Sequence, residues 1–364
     1  MNKKVVTLLK MIVLSVGMIV AFKLISDKIS TDETNSKIEY GSGDTQYGFS
    51  MGTSVSVTLY GACTTDDYFC VMDEIDKLDT DYISWRNEDS ELGKLNTNYV
   101  SGEEYAVSEI LYDAICMSWQ ICKDSEGALD ITIRPVADVW NIEGSDNESF
   151  VIPAISDIED ALSLVGYEYI SLNDSASVVG ENLGGEITIS KNNIIIDFGA
   201  IGKGYALDIL REWIIDNKIE GACISVGGSI LVYGYKEDGS SWRVGIRDPQ
   251  GSADEMIGYL EFPSGTNTCV STSGYYEKYF MVDGVRYHHI IDRKTGMPSN
   301  SGLASVTIVC ENGLCSDALS TACFVLGYEQ SLKLLEKYDA EAIFIDEENN
   351  IILTEGLEDI FVEK

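Results

Sequence analysis

Between residues 222 and 310 the chain is almost wholly short segments of one kind: ACISV, SILVYGY, SWRVGIR, IGYLEF, YEKYFMV, VRYHHII and ASVTIVC. Each is rich in β-branched and aromatic residues, and most are separated by turns of Gly, Asp, Ser and Lys, which is the pattern of strands. Turns this short join only antiparallel neighbours, because a parallel pair needs a crossover of a dozen residues or more. SVSVTLYG at 54–61 adds a further strand. EITISKNNIIID (186–197) alternates about a Lys-Asn-Asn turn and reads as a hairpin, as does the closing stretch AIFIDEENNIILTE. Helical spacing appears at 66–82, 107–125, 199–218 (Leu207, Leu210 and Ile214), 316–326 and 329–338. The expected fold class is therefore α+β, mostly antiparallel sheets with interspersed helices, and not a doubly wound parallel sheet.

The N-terminus, MNKKVVTLLKMIVLSVGMIVAFKLIS, holds an uncharged, largely apolar run at 11–22 between Lys10 and Lys23. Residues 5–25 reach the roughly 20 residues a spanning helix needs if the lysines snorkel. No small-x-small cleavage pattern follows Phe22, and the first cysteine is Cys63, too late for a lipoprotein anchor. We read 1–25 as a signal anchor with its cytoplasmic end first, 26–46 as a polar tether, and 47–364 as one catalytic domain on the extracytoplasmic side of the cell membrane. A buried N-terminal helix is the blander alternative.

The chain carries 60 acidic against 25 basic residues, a formal charge of −35. Such a surface repels nucleic acid. It accepts an anionic substrate only where a metal ion or a local basic cluster offsets the field. The nine cysteines include no C-x-x-C pair, so a zinc site has weak support, and unpaired thiols in an exported protein suit surroundings poor in oxygen.

Several short stretches can carry chemistry. In DFGAIGKGYALD a strand gives way to glycines and then a helix, where free N–H groups and Lys203 can meet an anion, although a tight turn with a solvated lysine has the same spacing. VGGSI (226–230) and VSTSG (270–274) are a glycine turn and a hydroxyl cluster that can serve phosphate oxygens or simply shape turns. In CSDALSTA, Asp317 and Thr321 are four apart on one helix face and form a hard oxygen set suited to Mg²⁺; an N-cap Asp with a core-facing Thr is the structural reading. Trp85, in ISWRNEDSELGKLN, is a candidate platform for an aromatic ring or a core tryptophan. YHHIIDRKTGMP (287–298) holds both histidines of the chain; in a strand His288 and His289 face opposite sides, so at most one enters a given cleft.

Taken in order, MGTSVSV, ISWRNEDSELGKLN, ALDITIRPVADVW, IIIDFGAIGKGYALD, ACISVGGSI, WRVGIRDP, VSTSGYYEKYF, YHHIIDRKTGMP and SVTIVC…SDALSTACFVLG resemble the ApbE family of flavin transferases, from about Tyr47 to the C-terminus. The resemblance implies an enzyme that cleaves FAD, links its FMN half by a phosphoester to a Ser or Thr of a separate partner protein and releases AMP. It implies an exported acceptor such as an Rnf- or NqrC-like subunit or an FMN-binding domain protein. Some relatives instead hydrolyse FAD, and a non-catalytic flavin binder is a further alternative. By the same resemblance Asp317, Thr321 and the Ala200 carbonyl ligate Mg²⁺. Met51 and Trp85 enclose the isoalloxazine, while Asp130, Lys203, Asp208, Gly228 and Thr272 lie in FAD-pocket motifs. His289 matches the functional histidine, either activating the acceptor hydroxyl or binding FAD; Asp317 and Lys203 complete the catalytic set. Arg293 stands where the family usually has proline, which removes a φ restraint from that turn.

Overall fold

The computed structural model describes residues 39–146, 149–174, 183–252 and 254–364. The compact unit runs from Tyr40 to Lys364. The proposed anchor (1–25) and most of the tether lie outside the described residues. Tyr40 already packs on Tyr68, ring centroids 5.1 Å apart, so the folded unit begins ahead of the Tyr47 boundary expected from sequence. Among the described residues no helix is long and apolar enough to cross a membrane.

The centre is an eight-stranded sheet of β1 (Thr45–Ser50), β2 (Thr53–Tyr60), β3 (Gly221–Val226), β4 (Ser229–Gly234), β5 (Thr266–Gly274), β6 (Leu303–Cys310), β7 (Glu341–Asp346) and β8 (Ile351–Leu353). The strands lie side by side in that same order, and every neighbouring pair is antiparallel; short turns join β1–β2, β3–β4 and β7–β8, while long connections carrying helices or other strands join the rest. The β1–β2 turn places Met51 and Gly52 at φ 51° and 71°, the left-handed twist that a two-residue hairpin turn needs.

Both faces of the sheet are covered. On one face lie helices α1 (Thr65–Lys77), α2 (Glu109–Asp124), α3 (Gly202–Asp216) and α4 (Gly313–Leu326). There Leu207, Leu210 and Ile214 of α3 meet Val55, Val57 and Ile224, the periodicity read from sequence. On the other face a three-stranded sheet (Trp242–Arg247, Met256–Phe262, Phe361–Glu363) packs Trp242, Val244 and Leu260 on Val232, Val270 and Ile343. β6 is buried along its whole length because it is covered on both sides. A second three-stranded sheet (Glu104–Ser108, Leu183–Ile189, Ile170–Asp174) packs with α2 and α4 in the largest core cluster.

Two expected elements differ. The helix expected at 66–82 is α1 followed by a π-helical turn, Leu78–Ile83, which delivers the chain to Trp85. The hairpin expected at 186–197 does not form. Its first arm is a central strand paired on both edges, and its second arm, though buried at Ile194 and Ile196, finds side chains in place of a ladder. Asn96 Oδ1 accepts from Ile196 N (2.9 Å) while its Nδ2 donates to Ile196 O (2.8 Å), and Tyr99 Oη accepts from Ile194 N (2.8 Å). The backbone requirement is met, but by residues about a hundred positions away.

Candidate active site

The turn before α3 is built by Phe198, whose carbonyl accepts from Ile201 N and Gly202 N (3.1 and 2.8 Å). Two residues on, α3 meets α4 backbone to backbone. A Cβ on Gly204 would sit 2.0 Å from Gly313 O, and one on Gly313 would sit 2.3 Å from Gly204 O, so only glycine fits at either position. That contact seats Asp317, which is 4% exposed, over the start of α3. Its Oδ2 accepts from Gly204 N at 3.0 Å and lies 3.6 Å from Lys203 Nζ, which also donates to Gly199 O (3.2 Å). Ala200 is in the same turn, half-buried.

Met51 and the glycine turn close in from the sheet. Met51 Cε lies 3.3 Å from where a Gly202 Cβ would be. A Cβ on Gly227 would lie 2.8 Å from Thr53 Oγ1 and 3.3 Å from Lys203 Cδ. Lys203, Asp317, Met51 and the Gly227–Gly228 turn are thus brought together, as the motifs suggest.

Other candidates are turned elsewhere. Asp208 spans the start of α4, accepting from Gly313 N (2.7 Å) and Leu314 N (2.8 Å) and pairing with Arg211 at 2.7 Å, so it fixes the helix that carries Asp317. The pleat splits the VSTSG hydroxyls. Ser271 and Ser273 knit β5 to α4 through Ser316 (2.7 Å), Ser320 (2.7 Å) and Thr321 (3.2 Å). Thr272 points from the opposite face to Thr307 (2.8 Å), its N–H bonding Gly228 O (3.0 Å). Asp130 is spent on the protein: Thr132 N and Oγ1 (2.8 and 2.6 Å), Tyr167 N (3.2 Å) and Arg293 Nη1 (2.5 Å) all reach its carboxylate. Arg293 also grips Glu168 at 2.8 and 3.1 Å. The turn it occupies needs no proline restraint, because Asp292 accepts from the backbone of Lys294, Thr295 and Gly296.

A second group was not singled out in the sequence. Arg134 lies 3.7 Å over the Trp85 ring and Arg86 4.3 Å. Arg134 reaches Asp197 (3.6 Å), which accepts from Gly199 N at 2.6 Å, tying Trp85 to the glycine turn. Among the described residues, Trp85 Nε1 and Arg134 Nε are buried with no hydrogen-bond partner. Glu143 bridges Arg86 (3.0 Å) and Lys278 (2.7 Å), and the Lys278 carbonyl faces His289 Nδ1 at 3.4 Å. Arg134 and Asp197 stand inside or beside quoted motifs; Glu143 carried no signal.

Residues 51–344 match the ApbE family model. The chain belongs to the ApbE family. It is 30% identical to an FAD:protein FMN transferase of Treponema pallidum over 85% of this chain and 86% of that one, and 29% identical to one of Vibrio cholerae over 82% and 86%. Its fold matches the crystal structure of the ApbE protein of Thermotoga maritima with a TM-score of 0.74 and 30% identity, over 88% of this chain and 99% of that one.

Within this ApbE chain the two histidines have separate environments. His288 is core: Nε2–H donates to Ser299 O (3.0 Å), Nδ1 accepts from Ile290 N (3.3 Å), and the ring sits edge-on to Phe324. Those bonds require the neutral ring, and burial pushes its pKa down from 6.5 to about 4. His289, half-buried just past the strand, is also pushed down to about 4 by burial. At pH 7 both are neutral in either state. As pH falls the unfolded chain takes up protons near 6.5 while the native rings wait until about 4. Stability is therefore lost across that window, on the order of 3 kcal/mol from His288. We expect His288→Gln to flatten the urea midpoint between pH 6.5 and 5; an unchanged slope would remove His288 as its source.

Among the described residues no group of three His, Cys, Asp or Glu could hold a metal. The donors available are instead one carboxylate with hydroxyl and carbonyl oxygens. Asp317 Oδ1 accepts no protein hydrogen bond among the described residues, and Thr321 Oγ1 hydrogen-bonds Ser273 Oγ at 3.2 Å. This sparse, hard set fits Mg²⁺, which keeps waters and takes phosphate oxygens as further ligands.

Proposed function

We propose that the protein is an FAD:protein FMN transferase acting on an exported acceptor. The observation that carries the site reading is the Gly204–Gly313 contact, which seats Asp317 against Lys203 at a glycine-rich helix start beside Met51. The function itself is supported by membership of a family whose matched relatives are FAD:protein FMN transferases.

The reaction is phosphoryl transfer: an acceptor Ser or Thr oxygen bonds the FMN phosphorus, the bond from that phosphorus to the AMP oxygen breaks, and AMP leaves. Little covalent work is asked of the protein, so positioning and charge neutralisation dominate. Lys203, at the start of α3, meets the pyrophosphate with its ammonium group, which answers the problem set by −35 overall. Asp317, Thr321 and the Ala200 carbonyl would hold Mg²⁺, which supplies charge neutralisation when bound. Met51 and Trp85 enclose the isoalloxazine, with Arg134 fixing one side of the indole. The orphaned Trp85 Nε1 and Arg134 Nε are donors available to polar ligand atoms. His289, neutral at pH 7, takes the acceptor hydroxyl proton. An N-terminal anchor would keep the domain beside exported membrane subunits.

Purified full-length protein, FAD and Mg²⁺ are expected to make an NqrC-like acceptor heavier by one FMN residue, read by mass spectrometry, with one AMP released per acceptor. An unmodified acceptor with FAD consumed would make the protein an FAD pyrophosphatase, and flavin binding without AMP would make it a carrier.

A further inference from the structure

Among the described residues, no strand pairs with the outer edge of the main sheet. Among those same residues β1 ends the sheet and pairs with β2 alone. Ser50 and Thr53 close the two-residue turn, so Ser50, Gly48 and Gln46 face β2 with their main-chain groups. Thr45, Tyr47 and Phe49 then direct theirs outward, and none has a backbone partner there among the described residues. Proteins ordinarily guard such an edge with Lys, Pro or a bulge; TQYGFS has none of these. The outward side chains are large and bare: Tyr47 is 79% exposed and Phe49 73%. The strand is nonetheless firmly held, since Gln46 and Ser50 are buried, Ser50 Oγ bonds Asp76 (2.5 Å), and a Cβ on Gly48 would meet Met72 Cε at 2.4 Å.

Two further observations say what the edge takes. It runs directly into Met51, whose side chain lies against Gly202, one residue from Lys203. A chain added to β1 is thereby led to the reacting groups. Exposed Asp76 of α1, hydrogen-bonded to Ser50, stands beside this strand, which favours a segment bearing Lys or Arg.

We propose that β1 is the docking edge for the acceptor polypeptide, which adds as an extended, basic-flanked strand and carries its Ser or Thr past Met51 to Lys203 and Asp317. This rests on the transferase reading. Main-chain bonding gives affinity with little demand on sequence, and Tyr47 and Phe49 grip alternate side chains of the incoming strand.

The test uses full-length protein with the NqrC-like acceptor. Tyr47→Pro removes one outward N–H and leaves the ladder to β2 intact, since an edge strand tolerates proline at such a position. We expect the acceptor KM to rise about tenfold in Tyr47→Pro and less in Phe49→Ala, with kcat and FAD affinity within about twofold of wild type. Amide exchange at Tyr47 and Phe49 should slow when acceptor is added to the wild type. An unchanged acceptor KM in a folded Tyr47→Pro protein overturns the proposal. So does loss of FAD affinity in that variant, which would put β1 in the flavin pocket. A concentration-dependent dimer abolished by Tyr47→Pro assigns the edge to a second copy, and edge protection present without acceptor but lost on deleting residues 1–38 assigns it to that segment; either result overturns it. A wild type that modifies no acceptor fails the transferase reading itself, a result distinct from transfer that ignores the edge.

Discussion

Asp317→Asn is expected to lower FMN transfer about a thousandfold while leaving the protein folded, because in the proposed function Asp317 holds the Mg²⁺ that would neutralise charge at the phosphoryl centre, and losing such a group costs a factor of that order. The substitution is chosen for its shape. The asparagine Oδ1 can still accept from Gly204 N, which Asp317 Oδ2 now does at 3.0 Å, so the α3–α4 contact keeps its polar tie. What disappears is the charge facing Lys203 Nζ and the anionic oxygen available to Mg²⁺. Asp317→Ala removes the tie as well and should also cost stability. Transfer and AMP release are measured together at saturating FAD. AMP release near the wild-type rate in Asp317→Asn would sink both the metal assignment and the placement of the reacting phosphate beside α4.

Arg293→Ala is expected to destabilise the domain by about 3 kcal/mol or more, read as a fall in the denaturant midpoint. Asp130 has a side chain only 1% exposed, and Arg293 sits on it at 2.5 Å. Removing the guanidinium leaves a carboxylate buried with neutral donors alone, which costs far more than the pair itself contributes. Arg293→Pro, which installs the usual family residue, should lose as much. The double variant Asp130→Asn with Arg293→Met should recover most of the loss, since it removes both charges and fills part of the space. A single Arg293→Ala variant within ~1 kcal/mol of wild type would mean that the pair acts like a surface salt bridge.

The antiparallel α+β plan was legible because strand spacing and turn length are local. Gly204 stands in a motif of recognisable order, whereas its partner Gly313 falls between the quoted stretches, and Asp317 and Thr321 share a helix face by spacing alone. Lys203 is likewise fixed to the helix start by the glycines around it. His288 and His289 do differ, but the strand ends at His288, so the pleat is not what separates them; it does divide Ser271 and Ser273 from Thr272.

What the pattern could not supply was the partner of each polar group. Asp130 and Arg293 are 163 positions apart, Glu143 and Lys278 are 135 apart, and Asp208 meets α4 from 105 positions away. A carboxylate in a motif looks the same whether it faces a ligand, caps a helix or answers an arginine. Alternation about the Lys-Asn-Asn turn suggested a hairpin at 186–197, yet it could not say that Asn96 and Tyr99 would take the place of a second strand.

By itself the sequence determined the fold class, the apolar faces, the glycine positions that permit close approach and the order of the motifs, since each depends on neighbours within a turn or two. Only the tertiary structure decided which carboxylate stays available beside Lys203, which histidine is locked in the core, how Arg293 is accommodated and which edge of the sheet is left open. Those outcomes depend on distances between segments remote in sequence, and burial makes each such pairing too costly to leave unmet.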